Sequence, residues 1–223
     1  MRSLALLDRA SRLAERHLKR YGQAAPASTT YKIPELLPHP VAWAQDVLGV
    51  HLDPWQQELV TSSAISMIAA CARQVGKTEA IIVAVAYQLM HFPGLVVILA
   101  NGDRTAGEIF ARVRDALSRA GASISSSDDN KRSCSLREPR SRLLALPAAP
   151  KTVRGIAGVR LLILDEAAFM PPELFAAVEP MVAAAGGRTI YASSPNGQLG
   201  RFWDLWSMSG IPRVQVTAYD CPR

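Results

Sequence analysis

Residues 71–78 read Cys-Ala-Arg-Gln-Val-Gly-Lys-Thr, and the prediction of the fold starts from this stretch. Apolar residues 65–70 precede it, and residues 79–90 form an apolar stretch of helical length. A strand, a tight turn and a helix that meet at Gly-Lys-Thr are typical of a phosphate-binding loop, where turn amides and the positive end of a helix face an anion. Lys77 would then reach the β- and γ-phosphates, and the Thr78 hydroxyl would bind Mg²⁺.

One position of this loop departs from the common pattern. Cys71 stands where G-x-x-x-x-G-K-[ST] has its first glycine. A Gly-Lys-Thr triplet also occurs by chance, so the alternative is a helix N-terminus that carries these residues without binding phosphate. The rest of the chain has to decide between the two.

Composition and charge limit the class of protein. The 223 residues, 49% of them hydrophobic, suffice for one large domain with a buried core. The net charge of +6 suits an anionic partner such as nucleic acid, although many ordinary proteins carry it. No apolar run reaches the length of a membrane span, and Asp8 and Arg9 interrupt the apolar start of the chain. We therefore expect a soluble, intracellular protein that is not secreted and has no membrane partner.

The sequence divides into an N-terminal segment, residues 1–40, and a larger domain, residues 41–223. Residues 2–20 are predicted to form a basic amphipathic helix, and a proline-rich linker follows. The helix could pack on a protein surface or contact nucleic acid, and its leucine stripe favours packing. The three cysteines lack the spacing of a zinc site and are expected to be reduced thiols.

Strands and helices alternate along the larger domain. Helices are predicted at 41–48, from Asp53 as N-cap, at 79–90, 104–120, 172–181 and 200–208. Buried strands are predicted at 95–100, 161–164 and 188–192, with a last strand at 213–219 and an edge hairpin from 133–136 and 142–147. This alternation predicts an α/β fold, with a central, mainly parallel sheet and a ligand at the carboxyl ends of its strands.

Two further strand ends carry polar residues suited to nucleotide hydrolysis. Four aliphatic residues lead into Asp165 and Glu166, and the strand at 188–192 leads into Ser193, Ser194, Pro195 and Asn196. Asp165 would bind Mg²⁺, and Glu166 would polarise the attacking water, because a carboxylate that holds a metal is a poor base. Together with the upstream Gly-Lys-Thr, this pattern favours an ATP-hydrolysing site over a chance triplet.

These three motifs together resemble the ATPase domain of the large terminase subunit of tailed phages, the motor that packages DNA into capsids. The likeness covers about residues 41–219 and implies a three-layer P-loop NTPase fold of the ASCE (RecA-like) class, with helices on both faces of the sheet. That family tolerates a residue other than glycine at the first loop position, and Arg-Gln before x-Gly-Lys-Thr is typical of it. Cys71 is then no objection to a phosphate site.

The resemblance also implies roles for individual residues. Arg73 would contact the γ-phosphate in cis, and Gln74, Val75 and Gly76 would surround the phosphates with Lys77. Arg154 lies where related motors place an arginine that reaches the ATP of a neighbouring subunit, although a surface or DNA-facing arginine is an equal alternative. Residues 193–196 match the coupling motif.

The pair Trp55 and Gln56 resembles the adenine-recognition motif of the family. An aromatic face can stack on adenine, and a side-chain amide can hydrogen-bond to its edge. Taken alone, however, Trp55 would be read as a core residue.

The resemblance further implies ATP and Mg²⁺ as cofactors and double-stranded DNA, a portal protein and a small terminase subunit as partners. It also implies a homo-oligomeric ring, a pentamer, and action in the host cytoplasm at the portal vertex of a procapsid. The acidic cluster of the nuclease that usually follows this domain is not found in the sequence, so we expect no nuclease activity. Two alternatives remain: a superfamily-2-like helicase or remodelling ATPase, and an assembly module that binds nucleotide without turnover.

Overall fold

A seven-stranded sheet forms the centre of the domain. The structure is a computed structural model and describes residues 37–125 and 130–220. The strand order is β3-β4-β2-β5-β6-β1-β7, and all neighbouring pairs are parallel except β3 and β4. The strands are β1 (Ser66–Cys71), β2 (Gly94–Ala100), β3 (Ser133–Leu136), β4 (Ser141–Pro147), β5 (Val159–Asp165), β6 (Arg188–Ser193) and β7 (Arg213–Val216).

Helices cover both faces of the sheet. The α-helices are α1 (Pro40–Leu48), α2 (Pro54–Thr61), α3 (Lys77–His91), α4 (Asp103–Arg119), α5 (Pro150–Val153), α6 (Pro172–Ala183) and α7 (Gly200–Ser207). Short 3₁₀ turns follow β5 at Ala167–Phe169 and β7 at Ala218–Asp220.

The side-chain alternation of the strands builds two separate cores. In β1, Met67, Ala69 and Cys71 pack with α1–α4, whereas Ile68 and Ala70 pack with α6 and α7 on the other face. A strand that is buried on both faces is apolar throughout, as β1, β2 and β5 are. The predicted three-layer α/β fold is confirmed.

Local sequence signals fix the ends of the first two helices. Gly49 ends α1 in the left-handed conformation, with φ 64°, which glycine adopts without steric cost. Asp53 begins α2 in a capping box with Gln56, and Pro54 occupies the first helical position. Both helix starts follow the prediction.

Most predicted elements are present, with two differences. The antiparallel edge hairpin of β3 and β4 is confirmed. The last strand is shorter than predicted, because the 3₁₀ turn at Ala218–Asp220 replaces its final residues; the Asp220 carboxylate accepts hydrogen bonds from the backbone N–H and hydroxyl of Thr217. The single-turn helix α5 was not predicted.

Some predictions cannot be compared with the structure. The helix at 2–20, the linker up to residue 36 and Cys221 lie outside the described residues. Cys71 and Cys134 are buried free thiols, as expected. Within the described ranges, no helix is long and apolar enough to cross a membrane.

The order of the strands places the predicted motifs side by side. Strand β1 leads into the phosphate loop and β5 into Asp165 and Glu166, and β6 lies between them. Because all three strands run in parallel, their carboxyl ends meet at one edge of the sheet. The edge is therefore where a ligand site is expected.

Candidate active site

A cleft of about 750 Å³ opens at the carboxyl ends of β1, β2, β5 and β6. This volume falls in the range of small-molecule sites in proteins, roughly 300–1,000 Å³. Its lining comes from the phosphate loop and the first turn of α3, and from the residues that follow the other strands. The lining residues are Ala72, Arg73, Gln74, Gly76, Lys77, Thr78, Glu79, Asn101, Arg112, Glu166, Phe169 and Ser194.

The backbone of the loop explains why Cys71 can replace a glycine. Cys71 is the last residue of β1, pairs with Val216 of β7 and is fully buried in the core. The left-handed conformations of the loop occur later, at Gln74 with φ 63° and at Gly76 with φ 91°. The first position therefore needs a small buried side chain rather than a glycine, and Gln74 occupies the conformation that glycine favours.

Gln56 supports this loop from below. Its amide nitrogen donates to the Gly76 carbonyl at 2.9 Å, its amide oxygen accepts from the Asp53 backbone N–H at 2.8 Å, and the residue is fully buried. Trp55 packs against the core, and its indole N–H is buried without a hydrogen-bond partner among the described residues. Neither side chain lines the cleft, so their role in adenine recognition stays a prediction.

Lys77 joins the two predicted carboxylates. Its Nζ lies 2.5 Å from Glu166 Oε1 and 3.0 Å from Asp165 Oδ1. The Asp165 side chain is 6% exposed and that of Glu166 29%, so the ammonium group offsets two carboxylates that are largely removed from water. The residues predicted from separate motifs are thus brought together.

The two carboxylates differ in their pKa values. Burial raises the pKa of Asp165 above its ordinary value, against the opposing effect of the Lys77 ammonium. Burial also acts to raise the pKa of Glu166, but the Lys77 ammonium and hydrogen bonds from Ser194 and Ser193 outweigh it and lower the pKa. Glu166 is therefore ionised at neutral pH.

Residues after β6 hold Glu166 in place. Glu166 has φ 61°, an unusual conformation for a residue other than glycine, and precedes the 3₁₀ turn. Its Oε2 accepts from the Ser194 backbone N–H at 3.1 Å and lies 3.2 Å from the Ser193 hydroxyl. Ser193 Oγ also accepts from the Ala168 N–H, and the Asn196 amide donates to the Ala168 carbonyl. The predicted coupling residues are thus bonded to Glu166 and to the segment after it, while Pro195 is exposed.

The two predicted arginines occupy different places. Arg73 is exposed and lines the cleft. Arg154 follows α5, is exposed and does not line the cleft of its own chain. The cis role of Arg73 and the trans role of Arg154 stay predictions. Val75 is buried beneath the loop rather than in the cleft wall.

The sequence motifs missed four residues of the cleft wall. Asn101 follows β2, and its place after a parallel strand was a usable signal. Phe169 lies in the 3₁₀ turn after Glu166 and is 45% exposed. Arg112 of α4 donates to Glu79 of α3 at 2.5 Å, and no local pattern relates residues 33 positions apart.

The residues present fit a magnesium ion bound together with phosphates. Asp165 Oδ1 is buried, and Lys77 Nζ approaches it outside the angles that a hydrogen bond requires, which leaves this oxygen without a hydrogen bond among the described residues. The described residues contain no cluster of three or more His, Cys, Asp or Glu side chains suited to a metal. Mg²⁺ is often held by only one or two protein ligands together with substrate phosphates and water. Asp165 and Thr78 would be those ligands.

Comparisons with known proteins support this description of the fold. No family model matches the chain, and no curated protein gives a significant match. Among solved structures, the large terminase ATPase domain of Thermus phage P74-26 is 24% identical, with a TM-score of 0.73 over 82% of this chain and 88% of that one. The large terminase of another thermophilic bacteriophage, in complex with ATP-γ-S, is 14% identical, with a TM-score of 0.62 over 76% of this chain and 45% of that one.

A helicase is also similar, but less so. The UvsW helicase of bacteriophage T4 is 10% identical, with a TM-score of 0.55 over 92% of this chain and 77% of that one. The fold is that of terminase ATPase domains, as the resemblance of the motifs implied. At these identities the comparisons establish the fold alone.

Proposed function

We propose that this chain is the ATPase domain of a phage large terminase, which hydrolyses ATP to move double-stranded DNA into a procapsid. The observation that carries this proposal is the contact of Lys77, at the end of the phosphate loop, with Asp165 and Glu166 at distances of 3.0 and 2.5 Å. Residues predicted independently as phosphate ligand, metal ligand and base thus meet in one cleft. The similar terminase structures support the choice of motor.

The geometry suggests how the site would act on ATP. Amides of the loop and of the start of α3 would bind the phosphates, and Lys77 would leave Glu166 for the terminal phosphates. Mg²⁺, held by Thr78 and Asp165, would neutralise charge on the phosphate oxygens. Glu166, fixed by Ser193 and Ser194, would then orient and deprotonate the attacking water.

The same hydrogen bonds suggest a path for coupling. Residues 193–196 contact Glu166 and Ala168, so a shift of Glu166 on ATP binding would be felt in the loop after β6. In this proposal the loop transmits the nucleotide state to the DNA-binding surface.

The arginines of the β3–β4 hairpin are our candidates for DNA contact. Within the basic stretch 104–142, Arg104, Arg112 and Arg119 form ion pairs on α4. Arg137, Arg140 and Arg142 are instead exposed at the edge of the sheet. Exposed arginines of this kind bind phosphate backbones without regard to sequence, as a packaging motor requires.

Measuring ATP turnover in the presence of Mg²⁺ tests the site directly. We expect Lys77→Ala to abolish turnover, because it removes the cation that faces the phosphates. Arg104→Gln is the matched control, since Arg104 is exposed on α4 and pairs only with Glu108 on the same helix. Full activity in the Lys77 variant would refute the assignment of the cleft.

A mixing experiment tests the ring that the proposal requires. Lys77→Ala leaves Arg154 intact, and Arg154→Ala leaves the phosphate loop intact. If Arg154 acts in trans within a pentameric ring, mixing the two inactive variants restores turnover at mixed interfaces. No recovery in an assembled mixture would mean that Arg154 does not act in trans.

The fold similarity to UvsW supports one alternative, a DNA helicase or remodelling ATPase. Such an enzyme would separate the strands of a short duplex during ATP turnover. A terminase should translocate on duplex DNA, cause no strand separation, and respond to a portal protein and a small terminase subunit at the procapsid vertex in the host cytoplasm. A strand-displacement assay therefore distinguishes the two.

A further inference from the structure

A pair of oppositely charged residues in the cleft wall has no role in the proposed function. Arg112 of α4 donates through Nη2 to Glu79 Oε2 at 2.5 Å, and Glu79 lies in the first turn of α3, next to Thr78. Both residues line the same cleft as Lys77 and Glu166. A permanently charged guanidinium group thus faces the space that the phosphates would fill.

The strand order shows which side of the cleft this pair occupies. Strand β2 lies beside β5, on the side away from β1 and β7. Asn101, which follows β2, lines the cleft on that side, and α4 begins two residues later. The phosphate chain would run from the loop after β1 towards Asp165 and Glu166 after β5. The wall that contains Arg112 therefore lies beside the terminal phosphate.

Other arginines on the same helix are arranged differently. Arg104 and Arg119 each pair with a carboxylate four residues away on α4 itself, Glu108 and Asp115. Arg112 instead reaches across to α3 and into the cleft. Its ion pair consequently links two helices, one of which starts at the phosphate loop.

The contact between Arg112 and Glu79 is of a kind that a phosphate can replace. The two side chains are 51% and 31% exposed, and one Arg112 nitrogen makes the contact. Such partly exposed pairs contribute little, typically ~1 kcal/mol or less. A terminal phosphate carries more charge than a carboxylate and can accept two parallel hydrogen bonds from a guanidinium group.

We propose that Arg112 binds the terminal phosphate of ATP in cis, and that Glu79 holds Arg112 when this phosphate is absent. The proposal rests on the proposed function, since it requires a triphosphate in the cleft. Arg112 then determines the preference for ATP over ADP, because ADP lacks the group that competes with Glu79. After hydrolysis and phosphate release, Arg112 returns to Glu79, and the link between α3 and α4 re-forms.

The preference follows from the strength of a hydrogen bond to a charged group. Such a bond corresponds to roughly a tenfold or greater change in Kd. The lost contact with Glu79 and the half-exposed position of Arg112 place the expected effect at the lower end. Removing the Arg112 guanidinium should therefore lower the preference for a triphosphate by about tenfold.

Calorimetric titration with ATP-γ-S and with ADP, in the presence of Mg²⁺, tests the proposal. Arg112→Gln should weaken ATP-γ-S binding about tenfold and leave ADP binding unchanged. Glu79→Gln should act in the opposite direction and tighten ATP-γ-S binding, because it releases Arg112. Arg104→Gln is the matched control on the same helix and should alter neither affinity.

Each outcome is informative. An unchanged ratio of the two affinities in Arg112→Gln, with tight binding retained, overturns this proposal and leaves the proposed function standing. Parallel losses for ATP-γ-S in the Arg112 and Glu79 variants also overturn it, since they indicate a pair that only braces α3 against α4. A wild-type protein that binds neither nucleotide overturns the proposed function and this proposal together.

Discussion

The substitution Glu166→Gln separates nucleotide binding from hydrolysis. Glutamine has nearly the same shape as glutamate, so its oxygen can still accept from the Ser194 backbone N–H, which lies 3.1 Å from Glu166 Oε2. It cannot remove a proton from water. Loss of a general base lowers turnover by about 10²- to 10⁴-fold. We expect a decrease in kcat within this range.

Nucleotide affinity should change in the other direction. ATP has to draw Lys77 away from Glu166, whose oxygen lies 2.5 Å from the ammonium group. The Glu166 side chain is 29% exposed, so solvent weakens this pair, and we take its loss as about 1 kcal/mol, or roughly fivefold in Kd. The variant should therefore bind ATP as tightly as the wild type or a few times more tightly.

Two measurements check this prediction: kcat from steady-state phosphate release, and Kd for ATP under conditions without turnover. Glu173→Gln is the matched control, because Glu173 is exposed at the start of α6, outside the cleft lining. Unchanged kcat in Glu166→Gln would refute the assignment of the base. It would favour the alternative of a nucleotide-binding assembly module without turnover at this site.

Three further predictions concern the loop, pH and DNA. Gln74→Gly should stabilise the protein by about 0.5 kcal/mol in urea unfolding, since it relieves the left-handed backbone, whereas Gln74→Val should destabilise it by ~1–2 kcal/mol. Burial lowers the pKa of His91, so the unfolded chain binds the additional proton and stability should fall as pH drops below about 6.5; in His91→Phe this loss should shrink, and an unchanged pH profile would contradict the reasoning. Replacing Arg137, Arg140 and Arg142 by glutamine should reduce the slope of log K for DNA against log salt by about 2.7, and an unchanged slope would exclude the hairpin.

Much of the fold followed from local patterns. Apolar runs that end in polar residues indicated the buried strands, because a strand covered on both faces cannot alternate. Proline, glycine and Asp53 marked the helix ends through their backbone preferences. The shorter β7 was not predictable, since its end depends on hydrogen bonds of the Asp220 carboxylate.

The site was predicted in part for similar reasons. Lys77, Asp165 and Glu166 lie at the ends of parallel strands or at the helix start that follows, where the sequence alone places ligands. Gln56 was harder to interpret, because an amide that could read adenine can equally bond to the Gly76 carbonyl, and only three-dimensional contacts show the latter. The pairing of Arg112 with Glu79 depends on how α3 and α4 pack, which no sequence pattern in the chain specifies.

The response of ATP turnover to linear double-stranded DNA and portal protein tests the central claim most directly. The assay measures steady-state phosphate release with Mg²⁺, for the protein alone, with each component and with both. The proposed packaging motor predicts strong stimulation that is greatest with both components and is absent in Lys77→Ala. Turnover that neither DNA nor portal protein changes would contradict the account.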